Sequence, residues 1–214
     1  GTNALDANTT GQLNVAIGYN ALSAQNADAY NTAVGANSME ATTSGAYNAA
    51  LGRSALTANT TGSNNVAVGY NALDANTTAN NNTALGYEAL GANTTGASNT
   101  AVGSGALDAN TTGYNNNAIG YGALGNCTEG AQNVAVGTNC ADAVTTASNT
   151  CAIGNNAGGA ITTGGDNVVM GSNALAAVTT GQDNVAIGRR SLENNTASSN
   201  TAVGFDSLRA NTTG

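Results

Sequence analysis

The chain has 214 residues and a formal net charge of −8, with four Arg and with no Lys, His or Pro. A nucleic-acid partner would need a basic stripe, so this charge balance argues against one. No apolar run approaches the roughly 20 residues of a transmembrane helix. The commonest general base and the Schiff-base amine are missing with His and Lys, and we therefore expect no enzyme, no cofactor and no metal site.

A single Gly returns every seventeen residues, and a fixed short period predicts one supersecondary unit stacked on copies of itself. These residues are Gly1, Gly18, Gly35, Gly52, Gly69, Gly86, Gly103, Gly120, Gly137, Gly154, Gly171 and Gly188. The next Gly comes one residue early, at Gly204, so repeat 188–203 is one residue short. We interpret 1–214 as one uninterrupted array of twelve repeats and a partial thirteenth. Both ends lie inside the repeat without a polar cap, so we expect a fragment of a longer fibre.

The period also selects the fold class. Helical repeats need about 33 to 47 residues and leucine-rich repeats about 20 to 29, so seventeen is too short for either. The absence of Pro suits a stacked backbone ladder, because Pro has no N–H to give. We predict an all-β parallel β-solenoid in which each repeat is one coil. Equivalent positions, here called columns and counted from the recurring Gly as column 1, would stack about 4.8 Å apart.

Column 2 carries a recurring aromatic residue. It also accepts Arg53 and Arg189, which is typical of an outward-facing column. We predict an exposed column that could contact sugars or a partner surface. Its aromatic members are Tyr19, Tyr70, Tyr87, Tyr121 and Phe205.

The middle of the repeat is predicted to be a row of interior side chains followed by a turn. Column 5 is almost always Leu and is expected to face the interior. Column 6 holds Asp74, Asp108 and Asp142 and is interpreted as a solvated turn. Columns 8 to 11 read Asn-Thr-Thr-Gly, in which Asn and Gly favour a turn.

Column 14 is predicted to form a structural ladder of Asn side chains, because stacked amides can hydrogen-bond along the axis of a cross-β array. Thr150 is the one exception in this column. The ladder residues are Asn14, Asn31, Asn48, Asn65, Asn82, Asn99, Asn116, Asn133, Asn167, Asn184 and Asn200.

Columns 15 to 17 are predicted to form the strand. Column 17 is always aliphatic or Met, and column 16, on the opposite strand face, is almost always Ala. Strands that are apolar on both faces are typically buried on both. We therefore expect column 17 to face the coil interior and column 16 to pack against neighbouring chains, most simply around a threefold axis. The alternative is a monomeric solenoid whose Ala face is exposed to solvent.

The three cysteines, Cys127, Cys140 and Cys151, interrupt otherwise ordinary columns. An odd number without a repeating spacing does not indicate a disulfide framework. We expect free, partly buried thiols, and a local Cys140–Cys151 bridge is the alternative.

The strand motif resembles a known family. The segments Asn14–Gly18, Asn65–Gly69 and Asn184–Gly188 are similar to the YadA-like head repeat of trimeric autotransporter adhesins. The fuller unit 69–78 resembles repeats in tail fibres of marine and cyanobacterial phages. The resemblance covers the whole chain, although the seventeen-residue period is longer than that of the adhesin head. It implies a left-handed parallel β-roll in a rigid, homotrimeric, extracellular attachment fibre, on a cell surface or a virion, with an unidentified receptor or glycan.

Three other interpretations stay open. A single-chain solenoid could form an extracellular filament or matrix. A glycosylated matrix protein would use the Asn-x-Thr sequons, for example at Asn59, Asn76 and Asn126. An ice-binding solenoid would use the recurrent Thr pairs, although adjacent residues of a strand face opposite ways, so only one Thr column would point outward.

Overall fold

The computed structural model describes residues 1–27 and 29–213, and the chain there is a parallel β-solenoid of about seventeen residues per turn without a helix. Twelve three-residue strands form one sheet whose strand order follows the sequence. The strands are β1 (Val15–Ile17), β2 (Thr32–Val34), β3 (Ala49–Leu51), β4 (Val66–Val68), β5 (Thr83–Leu85), β6 (Thr100–Val102), β7 (Asn117–Ile119), β8 (Val134–Val136), β9 (Cys151–Ile153), β10 (Val168–Met170), β11 (Val185–Ile187) and β12 (Thr201–Val203). Within this part of the chain, no helix could cross a membrane.

Each strand pairs in parallel with the next, and the register places every column on itself. Ala101 lies opposite Ala118, for example, and Val102 opposite Ile119. The short repeat keeps this register, since Val185 still pairs with Thr201. Its missing residue is absorbed in the turn: the side-chain amide of Asn195 reaches a carbonyl two residues ahead, whereas that of Asn59 reaches one three residues ahead.

The interior contains the Leu of column 5, as predicted. Leu56, Leu73 and Leu107 are fully buried. They adopt left-handed backbone angles, with φ of 53° at Leu73. This conformation is unfavourable for a residue with a side chain, so packing inside the coil must compensate for it.

The strand faces the other way from our prediction. Column 16 is inside, with Ala67 and Ala118 fully buried, while column 17 faces out, with Ile119 44% and Leu51 52% exposed. The assignment of column 17 to the interior was therefore wrong, and so was the placement of the Ala column on an outer contact surface. The physical reason is space: the Leu side chains of column 5 belong to the same buried cluster as the column 16 methyl groups, and the one larger residue in column 16, Val169, is buried in a coil whose column 5 is Gly158.

Candidate functional site

The outward face of the sheet carries a regular apolar surface along the described residues. We call columns 15 and 17 of the twelve strands the outer sheet face. Column 17 is aliphatic or Met at every level and is exposed or half-buried throughout, including Leu85 at 46% and Ile153 at 38%. Single exposed apolar residues are ordinary, but contiguous rows mark interaction surfaces. Eleven steps of about 4.8 Å make this row about 53 Å long.

Column 2 is exposed along the rod. Tyr19, Tyr70, Tyr87, Tyr121 and Phe205 all have between 40% and 64% of their surface accessible. Two of the rings stack on each other, Tyr70 and Tyr87, with centroids 5.6 Å apart.

The Arg53 guanidinium lies over the other side of this stack. It is 5.4 Å from the Tyr70 ring centroid, and its Nη1 donates to the Tyr70 hydroxyl at 3.1 Å. The column thus holds a flat cation as well as rings in stacked positions.

A second aromatic stack lies in column 13 and was not predicted. The Tyr30 and Tyr47 rings are 5.1 Å apart and nearly parallel, and both are exposed. Column 13 holds mostly Asn, Ser, Asp or Gln elsewhere, so the only sequence signal was two Tyr residues at the seventeen-residue spacing.

The Asn side chains of column 14 lie between coils and bind the backbone. The Asn82 Oδ1 accepts the backbone N–H of Asn99, and its Nδ2 donates to the carbonyl of Gly96, both at 2.9 Å. From Asn31 to Asn184 these amides are buried, while Asn14 and Asn200 are partly exposed. The ladder is interrupted at Thr150, whose buried hydroxyl has no partner among the described residues. The role of this column is structural, because its polar atoms are used inside the rod.

Column 8 contains a second Asn ladder that sequence analysis missed. Asn76 donates to Asn59, Asn93 to Asn76 and Asn110 to Asn93, at 2.8–3.1 Å between side-chain amides. The next members of the column are Cys127, Val144, Ile161 and Val178, all buried. The available sequence signal was that column 8 changes from Asn to apolar residues in four successive coils, because a solvated turn would not hold an apolar residue in each of them.

The burial of column 8 bears on glycosylation. The side chains of Asn59, Asn76, Asn93 and Asn110 are fully buried and hydrogen-bonded, so a glycan on any of them is incompatible with the folded coil. Asn126, in the neighbouring column, is exposed.

The two Thr columns of the turn differ in their surroundings. In column 9 the hydroxyl donates to the carbonyl of the coil ahead, as from Thr60 to Thr77 at 3.0 Å. In column 10 the side chains of Thr61, Thr78 and Thr95 are exposed. A single Thr row therefore faces water in this region.

All three cysteines are free thiols, so the alternative Cys140–Cys151 bridge is not formed. Burial raises the pKa of Cys127 and of Cys140 to about 11, which leaves both as unreactive thiols. Cys151 is half-buried in column 15 and lies on the outer sheet face.

An open notch of about 370 Å³ interrupts the surface between Tyr87 and Tyr121. Its lining includes the carboxylates of Glu88, Asp108 and Asp142. Desolvation is the main cause that raises the pKa of Asp108, and the negative charge of Glu88 adds to it. Desolvation also raises the pKa of Asp142. Across the described residues, no group of three or more Cys, Asp or Glu is arranged to hold a metal ion.

Comparison with known proteins gave no match: no protein-family model, no curated protein and no solved structure matches this chain. The β-solenoid assignment therefore rests on the geometry above, and the resemblance to YadA-like repeats has no support from a family model.

Proposed function

We propose that this chain is a segment of a rigid, passive attachment fibre that works outside the cell, on a bacterial surface or a virion. In this proposal copies of the rod associate side by side through the outer sheet face, most simply as a homotrimer. The observation that carries it is the row of aliphatic residues and one Met in column 17, which continues through all twelve strands.

The energetics support lateral association of a long rod. Fully burying an aliphatic side chain contributes about 1.5–3 kcal/mol, so covering a half-exposed one contributes about 1 kcal/mol. Twelve such levels give about 12 kcal/mol per chain, which is comparable with the estimated cost of association of about 4–15 kcal/mol. Association should therefore strengthen with each added coil. The resemblance to adhesin and tail-fibre repeats agrees with a trimer, and the receptor or glycan would be contacted through surface columns such as column 2.

The positions of the polar groups support a passive role. The buried amides of columns 8 and 14 hydrogen-bond between coils, and the chain has neither His nor Lys. Reach and stiffness come from stacking, in which each coil contacts only its neighbours.

Light scattering on the purified chain tests the assembly. We expect about three times the chain mass of 20.6 kDa. Replacing Leu51, Leu85 and Ile153 together by Glu should give monomers, because three carboxylates per chain would be buried without cations. The matched control places Glu at Thr61, Thr95 and Thr163, in a column that already holds Glu129. It should leave the mass unchanged. A monomeric wild-type chain at micromolar concentration would refute the trimer and favour the single-chain filament.

Cys151 provides a natural probe of register. In a parallel assembly with matched levels, the Cys151 thiols of different copies lie at the same height on the outer sheet face. Mild oxidation should then link two chains through a disulfide, and Cys151→Ser should abolish the linked product. Cys127 and Cys140 are buried and should not contribute. An unlinked wild-type chain in a trimeric sample would exclude contact of the copies at this level.

A further inference from the structure

The aromatic row of column 2 is interrupted where one ring is missing. Arg53, Tyr70 and Tyr87 stack on successive coils, the next coil has Ser104, and Tyr121 follows. Tyr87 and Tyr121 are two coils apart, or about 9.6 Å along the axis. One flat group between them would lie about 4.8 Å from each ring. That spacing is close to the 5.6 Å between the Tyr70 and Tyr87 rings.

Glycine residues form part of the floor of this gap. Column 3 is Gly in two consecutive coils only here, at Gly105 and Gly122, and Gly125 lies beside them. A Cβ atom at Gly105 would meet nothing within 4 Å. The missing ring and the missing side chains together create the notch of about 370 Å³.

The charge of the notch selects the ligand. Glu88, Asp108 and Asp142 contribute three carboxylates, and none of the described residues that line it is Lys or Arg. A cation between the rings would relieve the repulsion between Glu88 and Asp108 and could accept the π-face contact of both tyrosines.

We propose that this notch binds a guanidinium group, the flat head of an exposed arginine on a partner protein, between the rings of Tyr87 and Tyr121. Its N–H groups would donate to the carboxylates of Glu88 and Asp108. Guanidinium is planar, stacks on aromatic faces and pairs with carboxylates through a fixed fork, whereas ammonium offers charge without a plane. The same chain already uses this chemistry, since Arg53, three coils before the gap, stacks on Tyr70.

Binding is measured by NMR titration of the tyrosine ring signals of the full chain with small capped amino acids. N-acetyl-arginine methylamide should bind with a millimolar dissociation constant, as expected for a ligand of this size. The citrulline analogue keeps the shape and loses the charge, and the lysine analogue keeps the charge and loses the plane. Each should bind at least about tenfold more weakly, a factor that corresponds to about 1.4 kcal/mol.

Free arginine distinguishes the two sources of a guanidinium. Its α-carboxylate and α-ammonium offset each other in charge, so free arginine and the capped compound should bind about equally if only the guanidinium is recognised, as it would be on a protein side chain. Tighter binding of free arginine would instead assign the notch to a small molecule and would overturn the partner-protein assignment.

Ser104→Tyr tests the position, because it supplies the missing ring and fills the gap. It should weaken binding of the capped arginine at least about tenfold. Ser172→Tyr adds a ring to the same column elsewhere and should leave binding unchanged. Glu88→Gln keeps the shape of the notch and should weaken binding even if Ser104→Tyr fails to fold.

Unchanged binding in Ser104→Tyr or in Glu88→Gln would overturn the proposal, as would equal binding of the citrulline analogue. The notch does not include the outer sheet face, so these titrations are independent of whether the chain is a monomer or a trimer. Failure of the fibre proposal would therefore not be mistaken for failure of this one.

Discussion

At the scale of single residues, the size of one side chain decides which face of each strand is inside. The middle residue of every strand points into the coil, where Leu from column 5 already fills the section. Beside Leu this position is a methyl group, as at the fully buried Ala118, and the larger Val169 is buried where column 5 is Gly158. Its neighbour Ile119 is 44% exposed.

Substitution by Asp at these two neighbours should therefore cost very different amounts of stability. Ala118→Asp buries an unpaired charge and should lower the free energy of unfolding by about 3–5 kcal/mol. Ile119→Asp should cost about 1 kcal/mol or less within a single rod. Urea unfolding in the monomeric Leu51, Leu85 and Ile153 Glu background measures both without a contribution from association. Equal losses for the two variants would contradict the assignment of the strand faces.

The end of the column 8 amide ladder offers a second test. The Oδ1 atom of Asn110 is buried and has no hydrogen-bond partner among the described residues, because the next coil presents Cys127. Cys127→Asn should supply the missing donor and raise the free energy of unfolding by about 1 kcal/mol.

Val144→Asn is the matched control, one coil further on. Its amide would lie between Cys127 and Ile161 without a neighbouring Asn in the column, and a loss of about 1–3 kcal/mol is expected. Thermal unfolding of both variants shows whether each one gains or loses stability. A loss of stability in Cys127→Asn would refute the hydrogen-bonded Asn ladder in column 8.

At the scale of the coil, Gly of column 1 lets one strand end lie directly against the next coil. Gly103 has φ of +135°, and a Cβ atom there would overlap the carbonyl oxygen of Gly120. Gly105 also has positive φ, at +66°, but its Cβ would point into open space.

Replacing each of these two Gly residues by Ala separates the energetic cost of backbone overlap from that of the positive φ angle. Gly103→Ala should cost several kcal/mol, since both the overlap and the disallowed angle must be relieved. Gly105→Ala should cost about 1–2 kcal/mol, because only the left-handed angle is unfavourable. Melting temperatures compare the two, and a larger loss at Gly105 would be inconsistent with the close approach of coils at column 1.

Much of the coil could be predicted from the period alone. A constant seventeen-residue spacing leaves one way to stack strands, in register, and Leu73 lies inside as its column indicated. That Asn82 is also buried was not predicted. The strand face could not be predicted, because Ala and Val are both apolar and hydropathy does not record size. Column 8 was assigned to a turn because Asn-Thr-Thr-Gly is rich in turn formers, yet Asn76 is a core residue. The notch was visible only as Ser104 and two Gly residues in otherwise regular columns.

At the scale of the whole rod, the carboxyl groups of column 6 affect the dependence of stability on pH. Desolvation is the main cause that raises the pKa of Asp74, Asp108 and Asp142 above the ordinary value of 3.8. The folded rod therefore binds protons more readily than the unfolded chain. The resulting stabilisation is complete below pH 3.8 and is lost as pH rises through the raised pKa values.

We expect the melting temperature to rise as pH is lowered from about 7 to about 4, which is opposite to ordinary acid denaturation. Circular dichroism melts across this interval measure the trend. Asp108→Asn combined with Asp142→Asn should flatten it, since two of the groups no longer titrate. A falling melting temperature over the same interval would show that other carboxylates dominate.

The hydrogen bonds between coils, including the Asn82 and Asn76 ladders, all run along the rod. A force that pulls the two ends of the rod apart would therefore act on every interface between coils. One released coil frees seventeen residues, or about 55 Å of extended backbone, in place of the about 4.8 Å that it occupied. Because each coil touches only its neighbours, the remaining coils keep their structure. A fibre built in this way would lengthen stepwise under drag and absorb sudden loads, and the interruptions at Asn110 and Thr150 are where it would first yield.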